Sequence, residues 1–160
     1  MVSAGSVRRK NVQNTLLKNL IDACGSAIGF WSIGYALAYG DNGHNGSTTF
    51  IGRTNFFLDG VDNLSFWFFQ YAFASTCVTI VAGSLAERCQ LGAYFAYALA
   101  LTGFVYPIVL RALWSPFGFL SPKNKSNLWG TGAIDFAGGG VVHLVGGFTA
   151  LIAVLILGPR

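Results

Sequence analysis

Apolar residues are concentrated in four long stretches of the chain. Three of them contain no charged residue: 65–86, 91–110 and 136–157. The fourth, 20–39, contains a single charge, Asp22, near its start. An α-helix that rises about 1.5 Å per residue needs about 20 residues to cross roughly 30 Å of hydrocarbon. The pattern therefore predicts four transmembrane helices.

The segments between these stretches are polar. Residues 40–64 are rich in Asn, Gly, Ser, Thr and Asp, a tight turn follows at 87–90, and residues 111–134 contain two prolines and two lysines. A membrane β-barrel would need alternating segments of about ten residues, and the apolar runs do not alternate. Residues 1–160 are therefore predicted to form one all-α polytopic membrane protein.

Composition and charge exclude several classes of protein. Hydrophobic residues make up 53% of the chain and charged residues only 10%, whereas soluble domains carry about 25% charged residues. The net charge of +4 is too small and dispersed for a nucleic-acid surface. Three cysteines without a CxxC spacing are interpreted as structural thiols, with no metal site and no cofactor: Cys24, Cys77 and Cys89.

Four spans place both ends of the segment on one side of the membrane. Basic residues are more frequent on that side, which predicts cytoplasmic termini and extracellular loops at 40–64 and 111–134. The N-terminal basic cluster has no apolar run directly behind it, so no signal peptide is expected. The basic residues on the predicted cytoplasmic side are Arg8, Arg9, Lys10, Lys18, Arg88 and Arg160, and those on the extracellular side are Arg53, Arg111, Lys123 and Lys125.

Three N-x-S/T sequons fall in the predicted extracellular loops, at Asn45, Asn63 and Asn124. Such sequons also arise by chance, so glycosylation stays open for Asn45 and Asn124. It is least expected at Asn63, which adjoins the second span.

Glycine and proline mark helix contacts and helix ends. The GxxxG at 25–29 and the glycines of 138–147 allow helix backbones to approach closely. Pro107 is predicted to bend or end the third span, and the Gly-Pro pair at 158–159 to end the fourth.

Two polar residues of the fourth span are candidates for chemistry. His143 lies seven residues into an apolar run, where an ionisable group is costly and indicates a functional site. A neutral imidazole there can donate with one nitrogen and accept with the other; the alternative is a histidine that only packs against another helix. Asp135, at the start of the same span, can cap the helix, stabilise a nearby cation, or do both.

Aromatic residues lie near the extracellular end. Phe69 and Phe73 are spaced i, i+4 and share one face of the second span, and Trp114 follows the third span. Helix packing and an aromatic belt at the membrane surface explain such residues. Converging aromatic faces would also attract a small cation, by about 0.5 to 2 kcal/mol.

These residues stand in segments that resemble a known family. GAIDFAGG at 132–139, continued by GVVHLVGG at 140–147, strongly resembles the signature of ammonium transporters of the Amt, Mep and Rh families. The resemblance covers nearly the whole chain and is greatest to the plant-like branch. Further stretches agree in order: RKN at 9–11, LIDA at 20–23, FQYAF at 69–73 and GSLAER at 83–88.

The resemblance implies a fold and roles for the candidate residues. Family members are homotrimers of eleven-helix subunits, each with its own pore, and the four spans match helices 2–5. Trp114 matches the aromatic of the outer recruitment site, although Trp129 competes for that role. The other matches are Phe73 as the outer gate ring, Phe69 as the second gate ring, Asp135 as the acid that stabilises the site, and His143 as the first of two pore histidines.

The same comparison shows what the segment lacks. The other histidine, His44, lies in the extracellular loop, so the second pore histidine has no counterpart here, and neither have the last six helices. The chain is therefore expected to be a fragment of a longer protein or a truncated product, which alone does not conduct.

The expected function is transport of ammonium or ammonia, with methylammonium as an analogue, through a narrow hydrophobic pore in the plasma membrane. The alternative is a non-conducting ammonium sensor of the same fold. An enzyme is not expected, because the chain has no nucleophile with a base, no HExxH and no phosphate-binding loop after a strand.

Overall fold

The computed structural model describes residues 2–41, 50–128 and 130–159, so His44, Asn45 and Trp129 lie outside the described residues. Four helices are long and apolar enough to cross a membrane, which confirms the predicted all-helical fold with four spans. A short turn of 3₁₀ helix, Phe56–Leu58, lies between the first two spans. The helices are α1 (Val2–Gly5), α2 (Arg9–Tyr39), α3 (Leu64–Leu85), α4 (Leu91–Trp114) and α5 (Gly139–Leu157).

Helix α2 begins eleven residues before the predicted start at residue 20, at Arg9. Its first turns carry polar side chains on a buried face, among them Thr15 and Lys18. The ammonium group of Lys18 donates to the backbone oxygens of Ala86 (3.0 Å) and Cys89 (2.7 Å). Because the ammonium group of Lys18 is satisfied inside the bundle, the helix continues beyond the apolar run that marked it in the sequence.

Three spans contain a segment of π-helix: Phe30–Gly34 in α2, Leu101–Val105 in α4 and Gly139–Leu144 in α5. The segments of α2 and α4 contact each other. A Cβ atom on Gly29 would lie 2.5 Å from the hydroxyl oxygen of Thr102, so this glycine is required for the close approach. The packing role predicted for the GxxxG at 25–29 is confirmed.

Two further helix ends differ from the sequence prediction. Helix α4 runs past Pro107 to Trp114, so an end at the proline, one of the two predicted outcomes, is wrong; the π segment just before it changes the hydrogen-bond register where proline has no N–H to donate. Helix α5 starts at Gly139 because Gly138 has a left-handed backbone (φ +79°). Its end at Leu157, before Gly158 (φ +73°), confirms the predicted stop.

The two ends of the described chain meet at one end of the bundle. Glu87 Oε1 accepts hydrogen bonds from the backbone N–H of Arg8 and the side chain of Asn11, both at 3.0 Å. Arg88 donates to the backbone oxygen of Gly158 at 2.9 Å. Helix α2 packs against α3 and α4, and α3 packs against α5. The loop following α2 and the segment following α4 therefore lie at the opposite end.

The segment between α4 and α5 folds back on the end of α4. Backbone N–H groups of Leu120 and Ala133 donate to Ala112 and Leu120, respectively. Asn124 is 7% exposed, and its amide nitrogen donates to the oxygen of Gly118 at 3.0 Å. A glycan on Asn124 would be attached to that same buried nitrogen, so the folded segment disfavours glycosylation there.

Asn63, the sequon next to the membrane, caps α3. Its side-chain oxygen accepts a hydrogen bond from the N–H of Phe66 at 2.9 Å, which satisfies one of the free donors at the start of the helix. The asparagine therefore has a structural role in ending the outer loop.

Arg111 ties two spans together beside that segment. Its guanidinium is fully buried and donates to the oxygens of Ala38 (3.1 Å) and Gly40 (2.9 Å), at the C-terminus of α2. These carbonyls have no partner within the helix. Replacing Arg111 by leucine is expected to lower the free energy of unfolding by about 2 kcal/mol, because two buried acceptors lose their donor.

Thermal unfolding of the detergent-solubilised protein measures this loss. Arg53→Leu is the matched control, because Arg53 is exposed in the outer loop, and a change within about 0.5 kcal/mol is expected there. Equal destabilisation by the two variants would contradict the anchoring role of Arg111.

Candidate cation-binding site

A cavity of about 500 Å³ opens where α2 and α4 end and α5 is about to begin. Its wall is largely aromatic and apolar, with two charged residues. Four of the five predicted site residues line it: Phe69, Phe73, Trp114 and Asp135. The other lining residues are Tyr39, Phe66, Gln70, Leu113, Pro116, Pro122, Lys123, Ala133, Ile134 and Phe136.

Three aromatic rings form a continuous column in this wall. The ring centroids of Phe69 and Phe73 are 5.0 Å apart with planes at 87°, and those of Phe73 and Trp114 are 5.3 Å apart at 80°. The i, i+4 spacing on α3 places the first two rings together, and the last residue of α4 supplies the third. Such edge-to-face contacts are favourable, so each ring holds the next in position.

The indole of Trp114 is also held by a hydrogen bond. Its Nε1–H donates to the backbone oxygen of Asp135 at 2.9 Å. This bond joins the end of α4 to the residues just before α5, across 21 positions of sequence. Trp114 is therefore fixed between the phenylalanine column and the carboxylate-bearing segment.

Asp135 caps the helix that follows. Its Oδ2 accepts the N–H of Val141 at 2.8 Å, so the carboxylate satisfies a free donor at the start of the helix as the sequence suggested, although Gly138 occupies the N-cap position itself. A Cβ atom on Gly140 would lie 3.4 Å from Oδ2, which is ordinary contact. The carboxylate is thus in the cavity wall and at the positive end of the α5 dipole at the same time.

His143 lies deeper along α5 and does not line the cavity. Its Nδ1 is 3.1 Å from the backbone oxygen of Gly138. Because a carbonyl oxygen only accepts, Nδ1 carries the proton, and in the neutral ring Nε2 is then the acceptor. In the structure of the described residues, the side chain of His143 is exposed. It belongs to the π segment Gly139–Leu144.

Several lining residues had no role in the sequence prediction. Gln70 had a signal, since it is the only amide side chain in the apolar stretch 65–86. Tyr39, Phe66 and Lys123 had none, because their neighbours in the cavity come from other helices. Among the described residues, no cluster of three or more His, Cys, Asp or Glu side chains is placed to hold a metal ion, and all three cysteines are free thiols.

The fold is that of a polytopic α-helical membrane protein with an aromatic cavity at one end of the bundle. Residues 1–160 match the sequence profile of the Ammonium Transporter Family. The chain belongs to this family. Its members are transporters and not enzymes, which confirms that no enzymatic activity is to be expected.

Similar proteins support this assignment over the whole chain. The chain is 44% identical over 159 residues to the "Putative ammonium transporter 1" of Caenorhabditis elegans, covering 99% of this chain and 30% of that protein. It is 48% identical over 162 residues to the "Putative ammonium transporter 1 member 5" of Arabidopsis thaliana, covering 98% and 32%. The chain therefore spans about a third of the length of these curated relatives.

A solved structure has a similar fold. The "Sensor Amt Protein" superposes with a TM-score of 0.80 at 33% identity, over 99% of this chain and 39% of that one. The arrangement of the four spans is thus that of a segment of an Amt protein.

Proposed function

We propose that this chain is part of a protein that carries ammonium across the plasma membrane, and that the cavity receives the ion. The observation that supports this most is the column of Phe69, Phe73 and Trp114 beside the carboxylate of Asp135. Aromatic faces attract a cation without oxygen ligands, and a nearby carboxylate adds to that attraction.

In this proposal the Phe69 and Phe73 rings form the outer gate, and His143 lines the pore beyond it. An apolar passage makes it costly to dehydrate a cation. Nitrogen would therefore pass the gate partly as ammonia, and the proton that ammonium gives up would be relayed by the pore histidines. Nε2 of His143 is the acceptor available for that proton or for the N–H groups of ammonia. Potassium is excluded because it has no proton to leave behind and finds few oxygen ligands.

The assembly and orientation belong to the same proposal. The four spans correspond to helices 2–5 of an eleven-helix subunit, three such subunits form a homotrimer, and the pore lies between two halves of which this chain supplies most of the first. The excess of basic residues near Arg8 and Arg88 supports a cytoplasmic position for both ends of the segment. The cavity then faces the outside.

A sensor is the second candidate, and the similarity to the "Sensor Amt Protein" favours it. Uptake of labelled methylammonium separates the two functions, measured with the complete reading frame that contains this chain in yeast cells without ammonium uptake of their own. A transporter takes up the label above the empty-vector level. Ammonium binding by the purified protein without any uptake would contradict transport and support the sensor.

Lys123 is the positive residue of the cavity wall, and it has the same charge as the proposed substrate. Replacing it by glutamine is expected to lower the apparent KM for methylammonium about three-fold, because a repulsion of roughly 0.7 kcal/mol at the cavity mouth disappears. The effect is expected to shrink as salt screens exposed charges.

Lys125→Gln is the matched control for this experiment. Lys125 is exposed in the same segment but does not line the cavity, so its replacement is expected to change the KM less. An unchanged KM for the Lys123 variant at low ionic strength would argue against an entry route past this lysine.

A further inference from the structure

Gln70 is the buried amide of the cavity wall. It follows Phe69 on α3, lines the cavity and is only 5% exposed. Its Oε1 atom is buried and has no hydrogen-bond partner among the described residues. Leaving a buried acceptor unpaired costs about 1 to 3 kcal/mol, and most such groups in folded proteins are paired. An unpaired amide in the wall of a cavity points to a ligand that supplies the missing donor.

The surroundings specify the chemistry of that ligand. The last side-chain torsion of glutamine is soft, so the oxygen can turn into the cavity at little cost. The aromatic rings of Phe69 and Phe73, which line the same cavity, favour a cation, and a carbonyl oxygen requires an N–H or O–H donor. A small cation with N–H groups satisfies both conditions. A single carbonyl does not replace the several oxygens that a potassium ion needs.

We propose that Gln70 is a specificity-determining residue, whose amide oxygen accepts an N–H hydrogen bond from an ammonium ion held against Phe73. This inference rests on the proposed binding of ammonium in the cavity and names a further contact in it. The rings then supply attraction for any small cation, and the amide distinguishes ammonium from alkali ions.

Binding to the purified protein tests the proposal without requiring transport. The protein is expressed from the complete reading frame that contains this chain, as the wild type and as three variants. Calorimetry with ammonium chloride, and with potassium chloride as the reference salt, gives the Kd of each purified protein. Gln70→Leu removes the acceptor at nearly equal size and is expected to raise the ammonium Kd about ten-fold or more. Gln70→Glu keeps a carbonyl oxygen in either protonation state and is expected to keep the Kd or lower it.

Thr76→Val is the matched control on the same helix. The Thr76 hydroxyl is exposed and donates to Ala72 of its own helix at 2.8 Å, so an unchanged Kd is expected. A role of Gln70 in packing alone would instead lower the thermal stability of the leucine and glutamate variants together.

The outcomes separate this inference from the proposed function. A wild-type Kd in Gln70→Leu, or equal weakening in the leucine and glutamate variants, would overturn the role of Gln70. Ammonium binding that depends on Gln70, in a protein without methylammonium uptake, would overturn transport and leave the contact supported. No ammonium binding by the wild-type protein would overturn both.

Discussion

Uptake of labelled methylammonium is expected to fall about ten-fold when Phe73 is replaced by alanine, and by at least as much when His143 is. The Phe73 ring joins Phe69 to Trp114, so its loss interrupts the aromatic column and removes up to about 2 kcal/mol of cation–π attraction. The loss of His143 removes the Nε2 acceptor from an apolar passage. Initial rates of uptake in transport-deficient yeast, corrected for the amount of protein at the cell surface, measure both effects.

Phe68→Ala is the control for a lost phenylalanine on the same helix. Phe68 is 62% exposed and does not line the cavity, so its replacement is expected to leave the rate nearly unchanged. If both the Phe73 and the His143 variants transported at the wild-type rate, the pore assigned to this face of the bundle would be wrong.

Replacing Asp135 by asparagine is expected to raise the apparent KM for methylammonium about ten-fold, with little change in thermal stability. Asparagine keeps a side-chain oxygen that can accept the N–H of Val141, so the cap on α5 remains. The negative charge is lost from the cavity wall, and a change of about 1.4 kcal/mol corresponds to a factor of ten.

Asp135→Ala separates the two roles of the carboxylate. It removes the cap as well as the charge, so a loss of about 1 kcal/mol of stability is expected in addition to the higher KM. Thermal unfolding and uptake are measured on the same preparations. A normal KM for the asparagine variant would show that Asp135 acts on the helix alone and not on the cation.

The sequence predicted most of the site, and the reason lies in its local spacing. The i, i+4 positions of Phe69 and Phe73 place both rings on one helical face in any α-helix. The position of Asp135 at the start of the fourth apolar run likewise indicated a carboxylate near a helix N-terminus. Gln70 was missed as a cavity residue although it is the only amide in its apolar stretch. Lys123 and Tyr39 were missed because nothing in a single segment shows which of its sides meets an opening formed by other segments.

Two helix boundaries were also not predictable from the sequence pattern. The predicted start at residue 20 followed apolarity, whereas α2 begins at Arg9, where Lys18 bonds to the backbone after α3. Helix α4 continues through Pro107 because a π segment precedes it. Both differences depend on hydrogen bonds of the folded chain, which a hydropathy pattern does not contain.

By itself, the sequence determined the number of spans and their helical form, since charge-free runs of about 20 residues have no other stable conformation in a bilayer. It also determined the family, through motifs spread along the chain. Only the tertiary structure decided that Trp114 of α4 packs on Phe73 of α3 and bonds to the backbone of Asp135. Those contacts join residues that are far apart in the sequence and lie on different helices, so the cavity forms only when these helices are packed together.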